Sequence, residues 1–178
     1  MTDRWARFNQ RILDEFENLK NRLIISIYGS YRPQKEEEFL LRQKQFLIDL
    51  GYSGTKIVKD YQDKSELPPL EISKRCLLYS DVNFLIFTRE GKRYGVIREL
   101  AYIADSKDMV SKTPYCTVFD QLKDGLGSVP PLSLDDIKNS GIVRHEFYEE
   151  KDLQEAIKTK AFWYLRKLKS DLETRVDI

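Results

Sequence analysis

Two cysteines and a single histidine are all that this 178-residue chain offers as soft metal ligands. A structural zinc site takes four such groups, so one chain cannot assemble it from Cys76, Cys116 and His145. Neither cysteine belongs to a C-x-x-C pair. Cys76 falls in an apolar helical pattern and Cys116 in a strand-like run, which marks both as core residues of a reduced protein. His145, between Arg144 and Glu146 in another strand-like run, reads as structural or exposed. Glycine-rich phosphate cradles are also missing. Neither G-x-G-x-x-G nor G-x-x-x-x-G-K-[ST] occurs, which removes the warrant for dinucleotide redox chemistry and for P-loop hydrolysis. No apolar run approaches the ~20 residues that span a bilayer. The N-terminus leads into a charged amphipathic stretch, not a signal-type apolar region. Thirty basic against 29 acidic residues leave a net charge of +1, which lacks the field of a general nucleic-acid binder. The expectation is a cytoplasmic protein with no metal, no cofactor and no membrane partner.

What the chain does have is a regular alternation of apolar periods. Trp5, Phe8, Ile12, Phe16 and Leu19 recur at helical spacing and predict an N-terminal amphipathic helix within residues 1–20. Residues 24–28 form a short apolar strand. Phe39, Leu40, Gln43, Phe46, Leu47 and Leu50 then share one face of a helix over 35–50, closed by Gly51. A weaker strand at 55–58 precedes a polar loop at 60–69. A helix at 70–79 leads to residues 82–88, apolar on both faces as a central parallel strand should be. A helix at 94–106, a strand at 114–119, a loop at 125–131 and a short helix at 134–139 follow. A strand at 142–147 and a closing helix at 149–172 complete the pattern.

Strand–helix alternation implies right-handed crossovers and a parallel sheet covered on both faces. The fold expected is a single α/β domain over 1–178, flavodoxin-like, with strand order 2-1-3-4-5 and an added N-terminal helix. The sheet and its helices would occupy 23–172. In that order the loops after strands one and three meet at the topological switch point, where open α/β sheets bind ligands.

Those two loops hold the candidate site. Gly29-Ser30 follows the first strand, and Arg32 adds a fork of donors suited to phosphate or carboxylate, or is a solvated surface residue. Glu99, about one turn into the helix after strand three, is either a carboxylate that complements the helix dipole or an ionised group at the switch point. In the second role it would attack an anomeric carbon or stabilise an oxocarbenium-like transition state. Gly95 would let the backbone approach a sugar or base, and Tyr94 would act as a lid. Asp81, at the far end of the same strand, reads as a capping or turn residue. Phe162, Trp163 and Tyr164 read as core or dimer contacts, consistent with a homodimer or higher homo-oligomer.

The segments Ile27-Tyr28-Gly29-Ser30-Tyr31-Arg32, Ser80-Asp81-Val82-Asn83-Phe84-Leu85-Ile86 and Tyr94-Gly95-Val96-Ile97-Arg98-Glu99-Leu100-Ala101 resemble the nucleoside 2-deoxyribosyltransferases and their deoxynucleotide N-hydrolase relatives. The resemblance covers roughly residues 23–120. It implies that Glu99 is the nucleophile toward the sugar and that Gly29, Ser30 and Gly95 belong to substrate-binding loops. Where that family carries an aspartate in the helix before strand three, this chain has Ser73-Lys74. Glu71, one turn earlier, is the nearest acid and the accessory candidate. The helix that holds Glu99 is also similar to that of NAD-cleaving TIR domains, although the Trp-Cys pair common before their glutamate is replaced by Val96-Ile97. Both resemblances imply cleavage or transfer of an N-glycosidic bond, with a nucleoside or nucleotide as the small-molecule partner. A non-catalytic nucleotide sensor and a protein-interaction module are the alternatives.

Overall fold

The computed structural model describes residues 2–62 and 66–176, with side chains described for Arg7, 10–62 and 66–171. Five parallel strands form one sheet in the order β2-β1-β3-β4-β5. They are β1 (Ile25–Tyr28), β2 (Lys56–Ile57), β3 (Val82–Phe87), β4 (Cys116–Gln121) and β5 (Val143–Phe147). The helices are α1 (Thr2–Arg22), α2 (Gln34–Asp49), α3 (Lys59–Gln62), α4 (Pro69–Tyr79), α5 (Tyr94–Asp105), α6 (Pro131–Ser140) and α7 (Glu150–Val176). The fold and the strand order are those expected.

The period of two along each strand divides the core into two layers. In β3, Phe84 and Ile86 join a cluster with Leu40 and Leu47 of α2 and with Leu153, Ile157 and Leu165 of α7. Leu85 and Phe87 point the other way, into a cluster with Leu77 of α4, Leu100 of α5 and Ile137 of α6. Every residue of β1 and β3 is buried, as a strand covered by helices on both faces requires. Both cysteines are free and buried in the second cluster. Among the described residues no helix is long and apolar enough to cross a membrane.

Several boundaries differ from the expectation, and two share one cause. The paired prolines at 68–69 and 130–131 read as loop punctuation, yet each pair starts a helix. Pro lacks only an N–H that a first helical turn leaves unpaired anyway. The Pro68 carbonyl accepts from Glu71 and Ile72, and the Pro130 carbonyl from Ser133 and Leu134. Helix α6 therefore begins at Pro131, not at residue 134. The expected loop at 60–69 also contains the single turn α3, held where Asp60 accepts from the Ile57 N–H at 2.8 Å and from Lys44 at 2.9 Å. Pro114 lies in a 3₁₀ turn, so β4 starts two residues later than predicted.

Of the expected N-terminal helical face, Trp5 and Phe8 lie outside the described side chains. Phe16 stacks on Phe162 of α7 with ring centroids 6.5 Å apart. The three aromatics of α7 divide. Tyr164 is in the core, its hydroxyl 2.7 Å from the Thr117 hydroxyl, while Phe162 and Trp163 are half exposed. His145 packs edge-on to Phe119. Asp81 accepts from the Ile24 N–H at 2.8 Å, the turn role anticipated for it.

Candidate functional site

Glu99 lies in the second turn of α5, whose first turn carries no acid, so the helix dipole is not its main environment. Instead the side chain is buried against the sheet, 8% exposed. Among the described residues its one hydrogen bond comes from the Ser73 hydroxyl, 2.8 Å from Oε1, and no ion pair reaches it. Burial pushes its carboxyl up from an ordinary value of 4.5 to about 7, against the smaller opposing effect of Ser73. The group expected to be a standing anion is therefore a proton-holding carboxyl near neutrality. Its charge is felt nearby. Burial first, and then Glu99, raise the Cys76 thiol to about 11. The phenols of Tyr28 and Tyr31 are likewise raised, mainly by burial and further by Glu99.

Of the expected pair Ser73-Lys74, only Ser73 meets Glu99. Lys74 turns away, its ammonium 5.3 Å from the Tyr102 ring centre. Glu71 is half-buried on α4 and shares no hydrogen bond with Glu99.

The two candidate loops do meet at the switch point, but at their point of contact they are joined. The Lys92 N–H donates to the Arg32 carbonyl at 3.1 Å. The buried Ser30 hydroxyl donates to that same carbonyl at 2.7 Å and accepts from the Arg32 N–H at 3.2 Å, so it is engaged within its own turn. A Cβ on Gly29 would come within 2.7 Å of Leu40 Cδ2, so that side chain would have to shift. Gly91 is tighter still, since its Cβ would meet Thr88 Oγ1 and Ser30 Cβ, each at 2.6 Å. Arg32 and Tyr94 are exposed, and a Cβ on Gly95 would meet nothing within 4 Å.

Sequence reading missed a second polar knot at this edge. Glu36, in the first turn of α2, is 8% exposed and accepts from the Thr88 hydroxyl. A charge run at 35–38 reads as a solvated helix start, and nothing local distinguishes Glu36 from Glu37 and Glu38. Asp120 was missed as well. Fully buried at the end of β4, it pairs with Arg144 and accepts from the N–H groups of Ser128 and Val129, which anchors the loop after β4. Arg93 donates to the Ser128 carbonyl at 2.8 Å and so ties that loop to the one before α5.

Among the described residues no group of three or more His, Cys, Asp or Glu side chains is placed to hold a metal ion. Comparison with known proteins yields no matching family model, no matching curated protein and no matching solved structure.

Proposed function

We propose that this protein cleaves or transfers the N-glycosidic bond of a nucleoside, nucleotide or related ribosyl compound, with Glu99 as the reacting carboxyl. The observation that carries the reading is a nearly buried acid at the switch-point edge, raised to about 7 and held by a single hydroxyl. Burying a carboxyl without a cation costs stability, and such costs concentrate at working sites. In its ionised form Glu99 attacks the anomeric carbon while the base departs, and water or an acceptor base then displaces the enzyme from the sugar. Positive charge developing on the sugar favours that ionised form. The Gly29–Ser30–Arg32 turn presents backbone and guanidinium to the sugar or its phosphate, Gly95 leaves room for the ligand, and Tyr94 closes over it. Glu71 is at most peripheral. The functional unit is a homo-oligomer.

Incubation with deoxynucleosides, their monophosphates and NAD, followed by chromatography of released base, tests this. Wild type releases base and Glu99→Gln does not, because the amide keeps the shape but cannot act as a nucleophile. Turnover rises with pH through about 7 as Glu99 ionises; a fall over that range would assign it the role of proton donor. Full activity in the amide variant would remove Glu99 from the chemistry.

One observation favours a second reading, a nucleotide sensor in the same site. Glu99 faces the Ser73 hydroxyl and no carboxyl partner, and the resemblance would put an acid where this chain has Ser73-Lys74. Saturable nucleotide binding by wild type without base release from any of the three substrate classes selects the sensor.

A further inference from the structure

At the same edge of the sheet, but on the face covered by α2 and α7, a cleft of about 440 Å³ opens between the start of α2 and the ends of β3, β4 and β5. That volume falls in the range of small-molecule sites, roughly 300–1,000 Å³. Glu36 and Thr88 line it, each more than nine-tenths buried. The Thr88 hydroxyl satisfies one oxygen of Glu36, and the other oxygen has no hydrogen-bond donor among the described residues. That second oxygen is not sealed from solvent, so a donor entering the cleft can reach it.

The walls make the opposite demand. Four cations (Lys35, Arg42, Arg89 and Lys123) line the cleft against two carboxylates, Glu36 and Glu90, and with Glu150 holding Arg42 from outside the lining the surplus is one positive charge. Two of the cations are engaged. Arg42 is held by Glu150 at 2.9 and 3.0 Å, and the Arg89 guanidinium donates to the Lys123 carbonyl at 2.9 Å. The other two are less firmly held. Lys35 pairs with Glu90 in an exposed ion pair of the kind that exchanges readily, and exposed Lys123 has no ion-pair partner among the described residues. A cationic ligand is repelled by the walls, and an anion placed on Glu36 is repelled by its carboxylate. What fits both is a ligand with neutral hydroxyl donors at one end and an anionic group at the other.

We propose that this cleft is a second binding site, for a sugar phosphate whose hydroxyls bond to Glu36 and Thr88 and whose phosphate meets Lys35 and Lys123. It is independent of the chemistry assigned to Glu99. Phe39 and Tyr148 at its border supply flat apolar surface for a base, so the ligand is either a free sugar phosphate or a nucleotide carrying the same group.

Calorimetric titration of the full chain with ribose 5-phosphate, adenosine monophosphate, ribose and inorganic phosphate tests the site. Either phosphorylated sugar binds saturably, at least tenfold tighter than ribose or inorganic phosphate. A tenfold preference for the monophosphate identifies the nucleotide as the source, and equal binding identifies the sugar phosphate. Lys123→Ala and Lys35→Ala each weaken binding about tenfold, the usual effect of one lost charge-assisted bond, and Glu36→Gln does the same. Because Lys123 is exposed, its variant answers the question even if the buried Glu36 variant fails to fold. Absence of saturable binding overturns the proposal. So does inorganic phosphate binding as tightly as ribose 5-phosphate, or affinity that survives Lys123→Ala but is lost in Glu99→Gln.

Discussion

Glu99 and Glu36 stand on opposite faces of one sheet, near the same edge, and resemble each other closely in what they touch. Each is 8% exposed, and each takes its hydrogen bond from one hydroxyl, Ser73 for Glu99 and Thr88 for Glu36. Their surroundings part them. Glu99 lies among Tyr28, Tyr31 and Cys76, groups whose own ionisation its charge opposes. Glu36 opens onto a cleft walled by lysine and arginine. Equal burial and equal hydrogen bonding therefore do not make equal chemistry. Around Glu99 burial holds the proton on the carboxyl, whereas Glu36 faces the cations of an open cleft.

The largest effect that would test this contrast is on stability against pH. The carboxyl of Glu99 holds its proton up to about 7 in the folded chain and to about 4.5 when ordinary, so the fold binds more protons between those values. Folding stability attributable to Glu99 is then fully present below about 4.5 and falls as pH rises toward 7, by about 3 kcal/mol. Glu99→Gln should match wild type near pH 4 and exceed it by up to about 3 kcal/mol near pH 8 in denaturant titrations. An amide variant weaker than wild type at both values would make Glu99 a structural residue.

Gly91→Ala comes next. Its Cβ would sit 2.6 Å from Thr88 Oγ1 and from Ser30 Cβ, so it should cost about 1–3 kcal/mol and pull Thr88 off Glu36. Denaturation that leaves it within experimental error of wild type would mean that this loop yields easily. Ser73→Ala should cost about 1 kcal/mol and move the midpoint of any pH–rate profile upward, since Ser73 lowers the Glu99 value. An unmoved midpoint would mean that some other group sets the profile. The smallest change is expected at Arg32. Exposed Arg32→Ala should alter stability by no more than about 0.5 kcal/mol while weakening phosphorylated ligands of the Glu99 site more than unphosphorylated ones. Equal weakening of both would remove Arg32 as a phosphate contact.

The chain's own periodicities determined the five strands, their order and the position of Glu99 at the switch-point edge. The apolar run along Val82–Phe87 and the 3.6-residue spacing in α2, α4 and α5 are local signals that tertiary structure had only to confirm. Paired prolines were also local signals, whose meaning as helix starts became plain only when their carbonyls were seen to accept from the first turn. The partners of the buried acids were not local. Ser73 lies 26 residues from Glu99, and Thr88 lies 52 from Glu36. Only the packed sheet brings such distant residues within reach. Glu36, Glu37 and Glu38 are chemically identical in the sequence, and the packing of α2 against the sheet buries the first while Glu38 remains exposed. On the other face, the packing of α4 and α5 turned the expected anion at Glu99 into an acid with a raised value, because desolvation is a property of everything that surrounds a side chain and not of its neighbours in the chain.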